Sequence, residues 1–206
     1  MEHPGRAAML HGRAADWLSE NGHIDDAIEH ALAAGDGDRA ASLVQASWFR
    51  YFNAGLGTTV RGWLRALESS AADGNTATVV TAAWMAALSG EKEEMDRRLE
   101  RLGNISRDVA LPDGTKSVES VITLIRGLFG FGGPVDMLAA ARRAAELETN
   151  GNMWSTVANT ALGHASYVVG DLARHSASFR RPRTARQRLL RCESWLSGSW
   201  HWPKRN

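Results

Sequence analysis

Residues 10–52 read LHGRAADWLSENGHIDDAIEHALAAGDGDRAASLVQASWFRYF, and how this stretch folds decides the rest of the chain. Its apolar residues fall into three sets. Leu10, Ala14, Trp17 and Leu18 form the first. Ile24, Ala27, Ile28, Ala31 and Leu32 form the second, and Ala40, Leu43, Val44, Trp48 and Phe52 the third. Each set recurs with a period near 3.6 residues, as on the apolar stripe of an amphipathic helix. Asn21-Gly22 ends the first helix, since glycine enters the left-handed C-terminal conformation without a Cβ clash. Asp25 and Asp26 then lie in the first turn of the second helix, where the macrodipole favours negative charge. Gly35 closes that helix, and Asp36 or Asp38 opens the third. Antiparallel helices joined by such short turns make αα-hairpins, the unit of a helical solenoid.

Residues 10–44, LHGRAADWLSENGHIDDAIEHALAAGDGDRAASLV, resemble the helical-repeat region of large LuxR-family, MalT-like ATP-dependent transcriptional regulators. The phrase AIEHALAAGD, residues 27–36, carries most of the likeness. Leu10, His11, Arg13, Ala14, Ala15, Trp17, Leu18, Gly22, Ala27, Ile28, His30, Ala31, Leu32, Gly35, Asp36, Ala40 and Ala41 match the family pattern. Gly12 stands where the family usually has Arg, at a cost of about 1 kcal/mol in helix propensity. By looser pattern the likeness extends to Leu172. In that family the segment follows a winged helix and opens a tetratricopeptide-like array. The resemblance therefore implies an all-α fold of antiparallel hairpins stacked as a short superhelix, of about eight to ten helices.

The remaining helices follow from the same punctuation. Residues 53–57 form a loop, with Thr58 or Thr59 expected to cap a helix carrying Val60, Trp63, Leu64 and Leu67. Thr76 starts a helix with Val79, Val80, Ala83, Trp84, Ala87 and Leu88 inward, ending at Ser89-Gly90. The next helix begins acidic and ends basic, with Glu94 and Arg98 as an i,i+4 pair and Met95, Leu99 and Leu102 buried. Residues 106–116 form a loop. A helix over 117–131 turns Val121, Leu124, Ile125 and Leu128 inward. After Gly132-Gly133, Pro134 begins another helix at its first position. That helix buries Met137, Leu138, Ala141, Ala144, Ala145 and Leu147. The last one presents Trp154, Val157, Ala161, Leu162, Ala165 and Val168-Val169.

The charge changes sign along the chain. Of 24 Lys and Arg and 23 Asp and Glu, nine bases and one acid lie in 174–206, leaving 15 bases and 22 acids before them. The first 173 residues thus carry about −7, a sign that argues against nucleic acid as their ligand. Residues 173–206 form a separate segment, basic and holding three of the eight Trp at 195, 200 and 202. Helical periodicity fades there and Pro182 interrupts it. The abrupt change is that of an out-of-frame run in a GC-rich gene. The alternative is a real basic tail that binds single strands or an acidic surface by charge and stacking.

No pattern of catalytic chemistry stands out. The seven His are scattered. His23 and His30 lie two turns apart with His11 near them, and they lack the H-E-x-x-H or paired-Cys spacing of a zinc site. Gly127, Gly130, Gly132 and Gly133 resemble a phosphate loop, but they follow a helix and no Gly-Lys-Ser/Thr succeeds them. Glu91, Glu93, Glu94 and Asp96 suit a solvated first turn. Trp17, Trp48, Trp63, Trp84 and Trp154 fall on apolar faces, where core packing is the expected role. No catalytic, cofactor, metal or partner-binding residue is assigned, and no enzyme activity is expected. The single Cys, Cys192, the missing signal sequence and the lack of a long apolar run fit a cytoplasmic protein without a membrane partner.

The family likeness implies a sensor or protein-interaction segment that receives a protein partner or an inducer. ATP binding and DNA binding belong to modules that these residues do not contain, so DNA would be reached only through a helix-turn-helix outside this chain. The chain is then expected to be a fragment of a regulator, marginally stable or self-associating through uncapped ends. The alternative is a stand-alone scaffold that holds a partner protein or peptide.

Overall fold

The computed structural model describes residues 4–70, 72–105, 110–149 and 151–170. The fold is all-α, and the described residues form nine helices and no strand. These are α1 (Pro4–Glu20), α2 (Ile24–Ala33), α3 (Gly37–Asn53), α4 (Gly57–Glu68), α5 (Thr76–Leu88), α6 (Lys92–Gly103), α7 (Val118–Phe129), α8 (Pro134–Leu147) and α9 (Met153–Val168). No helix among them is long and apolar enough to cross a membrane. The basic, Trp-rich segment 173–206 lies outside the described residues.

One compact turn is used four times. Gly22, Gly35, Gly55 and Gly90 have φ of 82°, 76°, 81° and 73°. The residue after each glycine donates its N–H back across the turn: His23 to Leu18, Asp36 to Ala31, Leu56 to Tyr51 and Glu91 to Ala86, at 2.9–3.0 Å. This is the left-handed C-terminal cap that satisfies carbonyls otherwise orphaned at a helix end. The same residue is already the N-cap of the next helix. Only Asp36 also caps with its side chain, accepting from the Arg39 N–H at 3.1 Å. Thr58 and Thr59 do not cap α4, as the sequence suggested. The Gly55 turn is complete by Leu56, which places both threonines inside the helix. Gly22, Gly55 and Gly90 recur at intervals of 33 and 35 residues, close to the repeat of two-helix solenoid units.

The described residues divide into two compact units, one holding α1–α6 and the other α7–α9. In the first unit each helix packs on the next, and α3 also packs on α5. Asn75 donates to the Asp38 carboxylate at 2.7 Å, and the Trp48 and Trp84 rings stack with centroids 5.6 Å apart. These two contacts set α3 and α5 side by side and parallel. Arg61–Glu91 and Arg98–Glu68 pairs, at 3.6 and 2.6 Å, set α4 beside α6 in the same sense.

The centre of this unit is α5, whose residues from Ala77 to Ala87 are all buried. The single stripe expected of it is replaced by burial on every side, with Leu88 half-buried at the end. A helix apolar all round belongs in an interior. Thr81 donates to the Ala77 carbonyl at 2.9 Å, which answers its hydroxyl locally, whereas the buried Thr78 hydroxyl has no partner.

In the second unit α7, α8 and α9 pack pairwise. Arg143 on α8 donates to Glu119 on α7 at 2.7 Å. At the other end of α7, a Cβ on Gly130 would meet the Met137 sulfur at 2.8 Å, so the two helices run antiparallel. Midway, a Cβ on Gly127 would lie 2.8 Å from the Ala141 Cα, so glycine permits the close approach. Ala141, Ala161 and Ala165 continue the small-residue seam beside Met137 and Leu138. Pro134 opens α8 as expected. Val168 and Val169 were expected inward but are 45% and 41% exposed. The buried stripe of α9 ends at Ser166, and the last turn runs past it.

Candidate interaction surface

The sequence singled out three histidines. The structure brings two of them together and sends the third elsewhere. His11 on α1 and His30 on α2 have their Nδ1 atoms 2.8 Å apart, so one ring donates and the other accepts. The pair ties the hairpin together across half-buried positions. His23 caps α2 and stacks on Trp17, with ring centroids 6.3 Å apart. Among the described residues no group of three or more His, Cys, Asp or Glu is placed to hold a metal ion.

The acidic start of α6 is an ion-pair network. Lys92 donates to Asp96 at 2.5 Å. Glu94 accepts from Arg97 and from Arg98, the latter at 2.6 Å, and Arg98 also donates to Glu68 at 2.6 Å. Hydrogen bonds from Arg97, then from Arg98, hold the Glu94 carboxyl below the usual carboxylate range. A group whose folded pKa is depressed contributes stability that is present above its unfolded pKa and lost as pH falls through the folded value. The first unit should therefore lose urea resistance as pH drops below the ordinary Glu range. Glu94→Gln should flatten that part of the pH profile. An unchanged acid limb in the variant would remove Glu94 from the account.

The glycines after α7 form a helix ending. Gly130 takes the left-handed cap at φ 63°, and Gly133 is the N-cap of α8. Four of the five tryptophans among the described residues are core residues: Trp48 0%, Trp84 1%, Trp154 1% and Trp63 8% exposed. Trp63 meets Tyr51 edge-on at 4.8 Å. Burial, then the Asp25 carboxylate, raises the Tyr51 pKa above its ordinary value.

Trp17 departs from expectation, being 59% exposed. The face of α1 turned to α2 holds His11, Ala14, Ala15 and Leu18, with Ala15 fully buried. The opposite face carries Met9 at 55%, Leu10 at 52% and Trp17, with Arg6 and Arg13 exposed among them. At 100° per residue these five positions fall within one arc of about 100°. This is the most apolar exposed helix face described in the first unit.

Two buried polar groups were not anticipated. Gln45 in α3 is fully buried, and neither of its amide atoms has a hydrogen-bond partner. Such a group costs about 1–3 kcal/mol. Gln45→Met, close in shape and without the amide, should therefore raise stability by about 1–2 kcal/mol. A urea midpoint lower than that of the parent would show that the amide is satisfied in solution. Glu148, at the end of α8, is 1% exposed. Its Oε1 accepts from the Lys116 N–H at 2.9 Å and the Ser120 hydroxyl at 2.5 Å, while Oε2 has no partner. Neither residue stands out in the sequence, since each lies where a helical pattern tolerates a polar side chain.

Comparison with curated proteins finds serine/threonine-protein kinase PknK of Mycobacterium tuberculosis and of Mycobacterium bovis. The identity is 30% over 112 residues, which is 54% of this chain and 10% of each relative. The chain thus aligns with only about a tenth of the length of these relatives. No family model and no solved structure matches.

Proposed function

We propose that this chain is a helical sensor or protein-interaction segment of a LuxR-family, MalT-like transcriptional regulator, without that family's ATP-binding and DNA-binding modules. The observation that carries the reading is the Gly turn recurring at 33 and 35 residues, with α3 beside α5 and α4 beside α6 in parallel. Hairpins repeated in this way make a short superhelix, in which successive helices offer an extended face to a protein partner or inducer. The match to a small part of a long serine/threonine-protein kinase fits a segment that serves within larger proteins. The role is one of binding in the cytoplasm, without catalysis. A stand-alone scaffold is the second reading, favoured by the compact core that each unit holds for itself.

Translation of the flanking DNA in every frame separates the two. The regulator reading expects a phosphate-loop module upstream and a LuxR-type helix-turn-helix downstream in one gene. Intact flanking frames with neither module would overturn it in favour of the scaffold.

A further inference from the structure

His11 and His30 meet across the first hairpin, one on α1 and the other on α2. Their Nδ1 atoms are 2.8 Å apart and their ring centroids 4.9 Å, so the two nitrogens face one another. Both rings are half-buried. The backbone brings them together, because the small side chains Ala15, Ala27 and Ala31 are fully buried where the helices pack. Charge around the pair favours a cation. The positions one turn from His11 are Ala7, Ala8, Ala14 and Ala15, and those one turn from His30 are Asp26, Ala27, Ala33 and Ala34. The one charge among these eight is negative, and Asp26 is exposed. From α3, Arg39 reaches the Gly12 carbonyl at 3.4 Å, but its guanidinium is paired with Asp16.

We propose that His11 and His30 form a two-histidine site for a divalent transition-metal ion of the Zn2+, Ni2+ or Cu2+ class, bridging α1 to α2. Imidazole nitrogen suits these ions, whereas Mg2+ and Ca2+ take oxygen. An ion bound by both nitrogens at about 2.0–2.1 Å needs them about 3.0–3.4 Å apart, so the rings open slightly and tilt toward one shared point. In the metal-free hairpin one ring carries its proton on Nδ1 and donates it to the other. On binding, that proton passes to the same ring's Nε2, and both Nδ1 lone pairs turn to the ion. No proton or electron is gained or lost by the pair. No third protein ligand is placed beside these two among the described residues, so water completes the shell. The site goes beyond the reading of the chain as an interaction segment and does not depend on it.

The test uses the full chain labelled with 15N, with ZnCl2 as the probe and MgCl2 as the control. Imidazole nitrogen NMR reads each histidine separately. Zn2+ should move the Nδ1 signals of His11 and His30 in step, saturating together, and leave both rings protonated at Nε2. Mg2+ should move neither. His11→Ala should weaken Zn2+ binding at His30 about tenfold or more, and His30→Ala should do the same at His11, since losing even a supporting group costs that much. His23→Ala, whose ring stacks on Trp17 instead, should bind as the parent does. A circular-dichroism melt certifies each variant as folded, and the titration of the parent needs no variant. Signals of His11 and His30 that stay in place while Zn2+ shifts other histidines would overturn the proposal. So would a response from one ring alone, an equal response to Mg2+, or unchanged affinity at the remaining histidine of a folded variant. The flanking-gene test is independent of all these outcomes, so the regulator reading and this site can fail separately.

Discussion

Trp84→Ala should lower the stability of the first unit by about 3–5 kcal/mol, a substantial part of what a domain of this kind possesses. Trp84 is 1% exposed, lies on a helix buried along its length and stacks on Trp48 from α3. Truncation removes the transfer free energy of the indole and leaves a cavity between two helices that cannot close without moving α5. Thermal and urea melts should show a much lower midpoint. Trp17→Ala, by contrast, should change stability by less than about 0.5 kcal/mol, as exposed substitutions do. Equal effects at the two tryptophans would contradict the burial assigned to each.

The second large effect belongs to the other unit. Glu148→Ala should cost about 2–4 kcal/mol, because the Lys116 N–H and the Ser120 hydroxyl both lose their buried acceptor. Val118 begins α7 just after this contact, with Ser117 as its N-cap, so the carboxylate ties the end of α8 to the start of α7. Glu148→Gln keeps an acceptor oxygen of the same reach and should lose clearly less than the alanine variant. Hydrogen exchange of the Lys116 and Ser120 amides should accelerate in Glu148→Ala before exchange in α9 does. A loss below about 1 kcal/mol for Glu148→Ala would mean that the two donors find other partners.

The positions of the helices were legible because glycine and proline mark them with specific backbone requirements. Gly22, Gly35 and Gly90 end helices for the reason deduced from sequence, and Pro134 begins one. Which face of α1 is buried was not legible. The large side chains Leu10 and Trp17 outweigh Ala14 and Ala15 in any reading of hydrophobicity. Close packing against α2 instead selects the small residues, with Ala15, Ala27 and Ala31 fully buried. Alanine and threonine hid α5 in the same way, since they add little to a hydrophobic pattern yet permit burial on every side. Gln45 and Glu148 escaped for another reason. Their meaning depends on what surrounds them in space, and spacing along one helix says nothing of that. The pairing of His11 with His30 needed the hairpin itself, since spacing set His30 with His23 on one helix and the structure separates those two.

The fourfold turn also bears on how this chain tolerates change in length. From Gly22, Gly35, Gly55 or Gly90, one residue leads directly into the next helix, and that residue's N–H is committed to the carbonyl five positions back. An inserted amino acid at any of these joints would break the bond and rotate everything after it about the helix axis. The connection between Glu68 and Thr76 is the longest joint between described helices of the first unit, with Ala72 in it buried and the residues around Ala72 more open. Natural insertions, engineered tags and protease nicks should therefore concentrate at that joint and spare the four glycines.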